Sequence, residues 1–401
     1  MVSEHASPLA SLGSVDAGGQ NVHVAALAAA MTALGHSVTV FTRRDDARLP
    51  KRVVMASGVV VHHIDAGPVM RIAKDAIYPH VAEFSRGLRL AWNVSRPDVV
   101  HSHFWMSGIA AIAAADAFGL PAVHTYHALG VEKLRHQGTA DTSPSIRLFE
   151  EARIAREVDC IVATSRAELV ELQDMGTPLH AVRIIPCGVD VEQFSPDGVC
   201  EIKNPDMLRV ATISRLVPRK GVDTIIESIA SVANAELVIA GGGEADRFAD
   251  DHETRRLIAL ASLYGVTERV FLRGAVERER VVELLRSADV VVCAPWYEPF
   301  GIVALEAMAC AKPVVASNVG GLKDTVIDGV TGFHVSPRSP RELADALRRL
   351  QADEDLRRAF GRAARERAIS HYAWSNVALE TLDAYRSVID GEARQRFAMA
   401  R

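Results

Sequence analysis

Short runs of β-branched residues alternate along the whole chain with longer stretches in which Ala and Leu recur at helical spacing. Residues 38–42, 59–64, 99–101, 122–125 and 160–164 predict strands, while 22–34 and 147–156 predict helices. The rhythm restarts with strand patterns at 209–213, 236–240, 270–272, 290–294 and 313–316, again with helical stretches between them. Strands separated by helices give a parallel sheet covered on both faces, so the pattern predicts an α/β protein with two doubly wound halves. Residues 188–205, rich in Pro and Gly and poor in periodic apolar positions, form the expected linker. The expected domains are 1–190, 191–375 and a C-terminal helix over 376–401. The stretch 372–389 carries Trp374, Leu379, Leu382 and Tyr385 at helical spacing, which reads as a packing face. Met1, Val2 and Ser3 read as the tail of a first strand, so the start is expected slightly upstream. Ligands of open α/β sheets bind beyond the carboxyl ends of the strands. Two such sheets would face each other across one cleft.

Composition narrows the function classes. A chain of 401 residues can bury more than one core, and 49% hydrophobic with 24% charged residues is ordinary for a globular protein. The net charge of −5 shows no bias toward polyanions, so a nucleic-acid partner has no support. Five scattered cysteines (Cys160, Cys187, Cys200, Cys293 and Cys310) lack metal spacing and fit a reducing compartment. No apolar run reaches spanning length, and no basic leader precedes Glu4 and His5; the expectation is a cytoplasmic protein without a membrane span.

The most informative segment is Glu298-Pro-Phe300-Gly301-Ile302-Val303-Ala-Leu-Glu306, two glutamates with seven residues between them. It follows an apolar strand pattern and opens a helical one running to about residue 311. Amides of Gly301, Ile302 and Val303 at a helix N-terminus would face a diphosphate. One carboxylate before the turn and one two turns into the helix could accept hydrogen bonds from hydroxyls on either side of it. Asp16-Ala17-Gly18-Gly19-Gln20-Asn21 precedes the helix at 22–34; its glycines would let backbone approach a phosphate, or form only a tight turn. After the strand at 209–213 comes Ser214-Arg215-Leu-Val-Pro-Arg219-Lys220-Gly221, whose Arg215 and Lys220 could neutralise the same diphosphate or lie in solvent. Gly241-Gly242-Gly243 also follows a strand and could admit a nucleotide closely, or form only a turn. Twelve of fifteen histidines precede residue 190. His101 and His103 sit at one strand end, His124 and His127 at another, with no carboxylate or cysteine at ligand spacing, so no metal site is expected. A polar histidine lining the cleft fits better. No Ser-His-Asp order, CxxC pattern or Gly-x-Gly-x-x-Gly after a first strand appears, which disfavours hydride transfer.

Taken together, Gly18-Gly19, Arg215 with Lys220, and the Glu298/Glu306 pair resemble the retaining glycosyltransferases of family 4, over essentially the whole chain. The resemblance implies the GT-B fold: two Rossmann-like, doubly wound parallel-sheet domains facing across a cleft, with the C-terminal helix over 376–401 crossing back to the first domain. It implies a nucleotide-diphosphate sugar, UDP-linked by expectation, bound by the second domain without an obligatory cofactor or metal. Arg215 and Lys220 match the pair that binds the diphosphate and stabilises the leaving group. Glu298 matches the acid holding sugar hydroxyls, Glu306 the one on the ribose, and Gly19 the loop glycine beside the diphosphate. Gly301, Ile302 and Val303 match the surrounding amides, with Phe300 in their turn, and His127 the histidine near the donor sugar. The backbone from Arg273 to Val276 lies where the family holds the base. The resemblance also implies that the leaving phosphate oxygen deprotonates the acceptor on the same face, so no pair of catalytic carboxylates is required, unlike a glycosidase.

Acceptor choice is read from other positions. Lys74 and Arg147 resemble the acceptor-phosphate ligands of sucrose-phosphate synthases and of mycothiol-pathway transferases that glycosylate inositol phosphate; the alternative for both is ordinary surface charge on a helix. A phosphate-binding tyrosine of the mycothiol type appears here as Phe104 and a threonine as Ala128, each removing a hydrogen bond of about 0.5–1.5 kcal/mol. Lys133 and Arg135 could supply charge instead. The expected function is a retaining glycosyltransferase acting on a small polar, optionally phosphorylated acceptor. Rival readings are an unphosphorylated aminocyclitol or secondary-metabolite acceptor, a nucleotide-sugar epimerase, and a catalytically dead sensor. The sensor would have lost His127, Glu298 or Lys220, and all three are present. A homodimer is left open.

Overall fold

The computed structural model describes residues 1–10, 18–243, 248 and 250–399, so Asp16 and Ala17 lie outside the described residues. The chain divides at residue 188 and again at 374. Unit 1 is Met1–Cys187 with Trp374–Arg401, and unit 2 is Gly188–Ala373.

Unit 1 holds strands β1 (Thr39–Arg43), β2 (Arg52–Val54), β3 (Val60–Ile64), β4 (Val100–His103), β5 (Ala122–Thr125), β6 (Cys160–Ala163) and β7 (Val182–Ile184). They form two blocks, β1-β3-β2 and β4-β5-β6-β7, in which only β2 runs antiparallel. Val2 joins the blocks by parallel bridges to Phe41 and Ser102. The segment 1–3 thus acts as a strand that is one bridge long. The Met1 ammonium donates to the Thr39 carbonyl at 2.8 Å, and burial pushes its pKa down to about 5. Helices α1 (Gly19–Ala33), α2 (Val81–Val94), α3 (Trp105–Ala115), α4 (Gly130–Gln137), α5 (Arg147–Glu157) and α6 (Arg166–Asp174) connect the strands. α1 starts three residues before its apolar periodicity does, because Asn21 accepts the Gly18 amide at 3.1 Å and closes the first turn.

Unit 2 contains β8 (Leu208–Ile213), β9 (Ala235–Ala240), β10 (Val270–Gly274), β11 (Val290–Cys293), β12 (Val314–Ser317) and β13 (Gly332–Val335). All pairings are parallel, in the order β10-β9-β8-β11-β12-β13. The central strands are buried at nearly every position, which is why they read as continuous apolar runs rather than alternating ones. Helices α7 (Val222–Ala230), α8 (His252–Leu263), α9 (Arg278–Ser287), α10 (Ile302–Ala309), α11 (Leu322–Thr325), α12 (Pro340–Ala352) and α13 (Glu354–Tyr372) complete it. Caps set several starts: Asp251, Ser339 and Asp353 accept first-turn amides, and Pro340 occupies the first position of α12.

The final helix α14 (Trp374–Met399) belongs to unit 1. Val377, Leu382, Tyr385 and Val388 share a buried cluster with Leu27 and Met31 of α1 and Val123, Cys160 and Val162 of the sheet. Tyr385 anchors it with a 2.7 Å hydrogen bond to His101 Nδ1. No helix among the described residues is long and apolar enough to cross a membrane.

Candidate functional site

Chemistry-bearing side chains gather at the carboxyl ends of strands in both units, and the two groups differ in kind. In unit 2 the loop after β8 carries Ser214, Arg215 and the turn Pro218–Lys220. Gly221 ends that turn at φ 68°, and a Cβ there would stand 2.0 Å from the Ala294 carbonyl, so only glycine lets the loop lie this close to the end of β11. The Trp296 amide donates to the Arg219 carbonyl at 2.8 Å and fixes the approach.

This contact delivers Lys220 to Glu298, and the two form an ion pair whose side chains are 20% and 16% exposed. Burial alone would raise the Glu298 carboxyl, but Lys220, Arg219 and Arg215 together hold it below the ordinary range. Gly301 caps α10 at φ 88°, against Leu322 and the Glu298 side chain. The amides of Ile302 and Val303 therefore open the helix beside Glu298. α10 is eight residues long and ends at Ala309, before the run to 311 that the sequence suggested, because Cys310 leaves helical geometry and Ala311 turns to φ 56°. Because α10 begins at Ile302, Glu306 sits little more than one turn into the helix, not two. It is 4% exposed and pairs with Arg278 at 3.1 Å, while Arg278 stacks over Phe194 and donates to Gln193. Burial pushes the Glu306 carboxyl up and Arg278 only partly offsets this. Arg278 is a partner that the sequence motifs do not reveal: α9 opens on Arg278, Glu279 and Arg280, and nothing in that spacing tells which arginine meets Glu306.

Phe300 is buried and packs edge-on to Tyr372. Arg273 points to Glu201 at 3.6 Å, so its side chain is engaged. The Ala275 amide donates to the Gly243 carbonyl and the Gly241 amide to the Gly274 carbonyl, which places the 273–276 backbone beside the Gly241-Gly242-Gly243 turn. Val276 is half-buried next to it.

In unit 1 the strand ends are strained. Phe104, after β4, has φ 79° and ψ 153°, a conformation almost confined to glycine, and His127, after β5, has φ 60°. His127 Nε2 lies 3.0 Å from His103 Nδ1, and His103 stacks on His101 with ring centres 4.2 Å apart. His101 spends both nitrogens, one on Tyr385 and one on Thr125 at 2.9 Å. His23 of α1 joins the group, its ring centre 4.9 Å from that of His127. Burial keeps His101, His103 and His127 well below the usual imidazole range, and each ring lowers its neighbours further. His124 faces the opposite side of the sheet and bonds Ser102 Oγ at 2.8 Å; burial lowers it to about 3. Sequence reasoning missed His23. Its signal was a polar ring at i, i+4 and i+8 with Leu27 and Met31, on the apolar face of α1.

The residues named for the acceptor are brought near Phe104 but divide in role. Lys74 Nζ and Arg147 both lie over the Phe104 ring, 5.1 and 5.0 Å from its centre. Arg147 is buried and committed: it pairs with Glu151 at 2.7 Å and donates to the Ala128 carbonyl at 2.5 Å and Ser143 Oγ at 3.2 Å. Lys133 pairs with Asp141 at 2.8 Å and donates to the same Ser143 oxygen. Arg135 is paired with Glu171. The reading of Arg147 as surface charge is corrected by its burial. Lys74 instead lines a cavity of about 260 Å³, together with His5, Asn21, Arg43, Asp45 and Arg71. His5 is oriented there by the Glu4 carboxylate at 2.7 Å, which also accepts from Ser107. Gly18 and Gly19 open α1, where Asn21 reaches the Ser7 carbonyl and Gln20 the His103 carbonyl.

Comparison with known proteins gives the frame for this geometry. Residues 201–367 match the family model described as glycosyl transferases group 1, and residues 17–193 match that of glycosyltransferase family 4. The chain is 33% identical over 415 aligned positions to the D-inositol 3-phosphate glycosyltransferase of Streptomyces bingchenggensis, covering 99% of this chain and 90% of that protein. The enzyme of the same name from Kribbella flavida is 34% identical, over 98% of this chain and 96% of its own. Among solved structures, sucrose-phosphate synthase from Thermosynechococcus elongatus superposes with a TM-score of 0.87 at 30% identity, covering 97% of this chain and 98% of that one. Anabaena HepE in complex with UDP gives 0.76 at 18% identity, over 96% and 98% of the two chains, a likeness of fold.

Proposed function

The chain belongs to family 4 of the GT-B glycosyltransferases, and on that premise we propose that it moves a sugar from a UDP-sugar to a hydroxyl of a small polar acceptor with retention at the anomeric carbon. The carrying observation is the Lys220–Glu298 ion pair beside the Gly301 cap of α10, in which each charge satisfies the other. A bound donor would divide them, Lys220 and Arg215 going to the diphosphate and the Glu298 carboxylate to sugar hydroxyls, with the α10 amides on phosphate. The bond from the anomeric carbon to the leaving phosphate oxygen breaks, and that oxygen takes the acceptor hydroxyl's proton as the new glycosidic bond forms. The cations gain most where charge develops on the departing diphosphate, which is why they accelerate the step. Glu306, held by Arg278, would meet the ribose, and His127 the transferred sugar. UDP is the nucleotide carried by one neighbour of the same fold.

For the acceptor, the cavity beside Lys74 is the proposed seat, and the name of the two relatives makes inositol 3-phosphate the first candidate. A second reading, an unphosphorylated acceptor, is favoured by one observation: Arg147 and Lys133 are already paired with Glu151 and Asp141, and Phe104 offers no hydroxyl. Incubating the enzyme with UDP-sugars and with inositol phosphate, inositol and aminocyclitols tests both. Transfer with the donor's anomeric configuration preserved by NMR is expected; an inverted product, or undiminished turnover in Glu298→Ala, would remove the proposal.

A further inference from the structure

We propose that His23, His103 and His127 form a binding site for a divalent transition metal of the Zn²⁺ or Co²⁺ class, and that filling it shuts down sugar transfer. Three separate elements converge to make it: α1 supplies His23, the end of β4 His103, and the strained turn after β5 His127. One ring nitrogen from each lies within 4.8 Å of the others. His103 Nδ1 and His127 Nε2 already face each other at 3.0 Å. Two imidazole nitrogens on one tetrahedral zinc, each about 2.0–2.1 Å from it, stand about 3.3 Å apart, so a metal in place of the shared proton asks only a small opening.

The surroundings support the same reading. His103 Nε2 is buried and has no hydrogen-bond partner among the described residues, so the polar contact of this ring lies at Nδ1, the nitrogen that faces His127. His23 Nδ1 is held 3.3 Å from Cys187 Sγ, which fixes that ring from behind in the manner of an outer-shell partner. His101, stacked on His103, is tied at both nitrogens and acts as a rigid wall. The three ligands are all nitrogen, with no oxygen donor among them, which suits zinc, cobalt, nickel or copper and not magnesium or calcium. His127 is the partly exposed member, so solvent or an anion can occupy the remaining position and the ion can enter from that side. The inhibitory half rests on the reading of His127 as the group beside the donor sugar: a dication held at its Nε2 brings positive charge close to the anomeric carbon, which itself gains positive charge as its bond to phosphate breaks.

The decisive measurement is a Co²⁺ titration of the chelator-treated full chain. One equivalent bound with the intense visible bands of a tetrahedral ion is expected. A competition titration of the wild type against a chromophoric zinc chelator needs no variant, and micromolar or tighter binding is expected there. His23→Phe should weaken metal binding by tenfold or more while leaving transfer at its wild-type rate and making it resistant to added Zn²⁺. Wild type that fails to compete with the chelator, or His23→Phe that binds as tightly as wild type, would overturn the site. Metal bound at full stoichiometry with undiminished transfer would overturn the inhibitory half alone. Because binding is read without any turnover, a failure of the glycosyltransferase reading leaves the outcome of the titration unaffected.

Discussion

The two units place charge at their strand ends in opposite ways. In unit 2 the cation and the anion come from loops that meet on glycine contacts, and the pair keeps part of its surface toward solvent, where the proposed function has it exchanged for ligand. In unit 1 the comparable cations, Arg147 and Lys133, are consumed in the scaffold, and the strand ends are lined by neutral rings instead. Cations near strand ends therefore do different work in the two units. The burial of the partner separates them: Glu151 is fully buried and cannot release Arg147 cheaply, whereas Glu298 keeps part of its side chain exposed, which the proposed exchange of Lys220 for sugar hydroxyls requires.

That contrast can be broken at its strongest point first. Arg147→Ala leaves Glu151 buried and unpaired and is expected to cost about 3–5 kcal/mol of stability by denaturant melts; a stable variant with only acceptor KM raised would return Arg147 to the acceptor site. Lys220→Ala and Glu298→Ala are expected to keep the fold and to lower kcat by about 10²–10³, measured with saturating donor; loss of structure instead of rate would erase the difference between units. A smaller effect comes from His124. Its unfolded pKa is 6.5 and burial sets the folded one at about 3. The unfolded chain therefore binds the proton first, and stability is lost as pH falls below 6.5 toward 3. Between pH 7 and pH 5 the loss from this residue is on the order of 2 kcal/mol, and His124→Gln should flatten the stability–pH curve by that share. Smallest is Lys74→Ala, expected to raise acceptor KM about tenfold for an anionic acceptor and hardly at all for a neutral one, with donor KM unchanged; a shift in donor KM would move Lys74 out of the acceptor cavity.

Arg215, Lys220, Glu298 and Gly301 stood out in the sequence because each lies in a loop that follows a strand and leads into a helix. The parallel sheets were legible from apolar runs alone. The histidine group was not: His23, His103 and His127 are far apart in the chain, and only the fold shows that the apolar face of α1 turns its polar ring onto the ends of β4 and β5. Arg147 and Glu151 stand at i, i+4, a spacing equally typical of solvent-facing pairs, so their burial had no signature. Likewise, Arg278 gave no hint that it would neutralise Glu306 from another helix, since cross-element pairs follow packing rather than spacing.

The return of α14 to unit 1 has a consequence for how the chain is made. Unit 1 contributes both the first and the last described segments, while unit 2 is continuous between them. On a ribosome adding about 5–20 residues per second, unit 2 emerges over roughly ten to forty seconds and can fold before α14 exists. Throughout that interval Leu27, Met31, Val123 and Val162 wait without the helix that covers them, and His101 without Tyr385. A premature stop anywhere in unit 2 would therefore leave the first-made half of the protein sticky, and nascent chains of this enzyme should engage chaperones through the amino-terminal half rather than through the part still being synthesised.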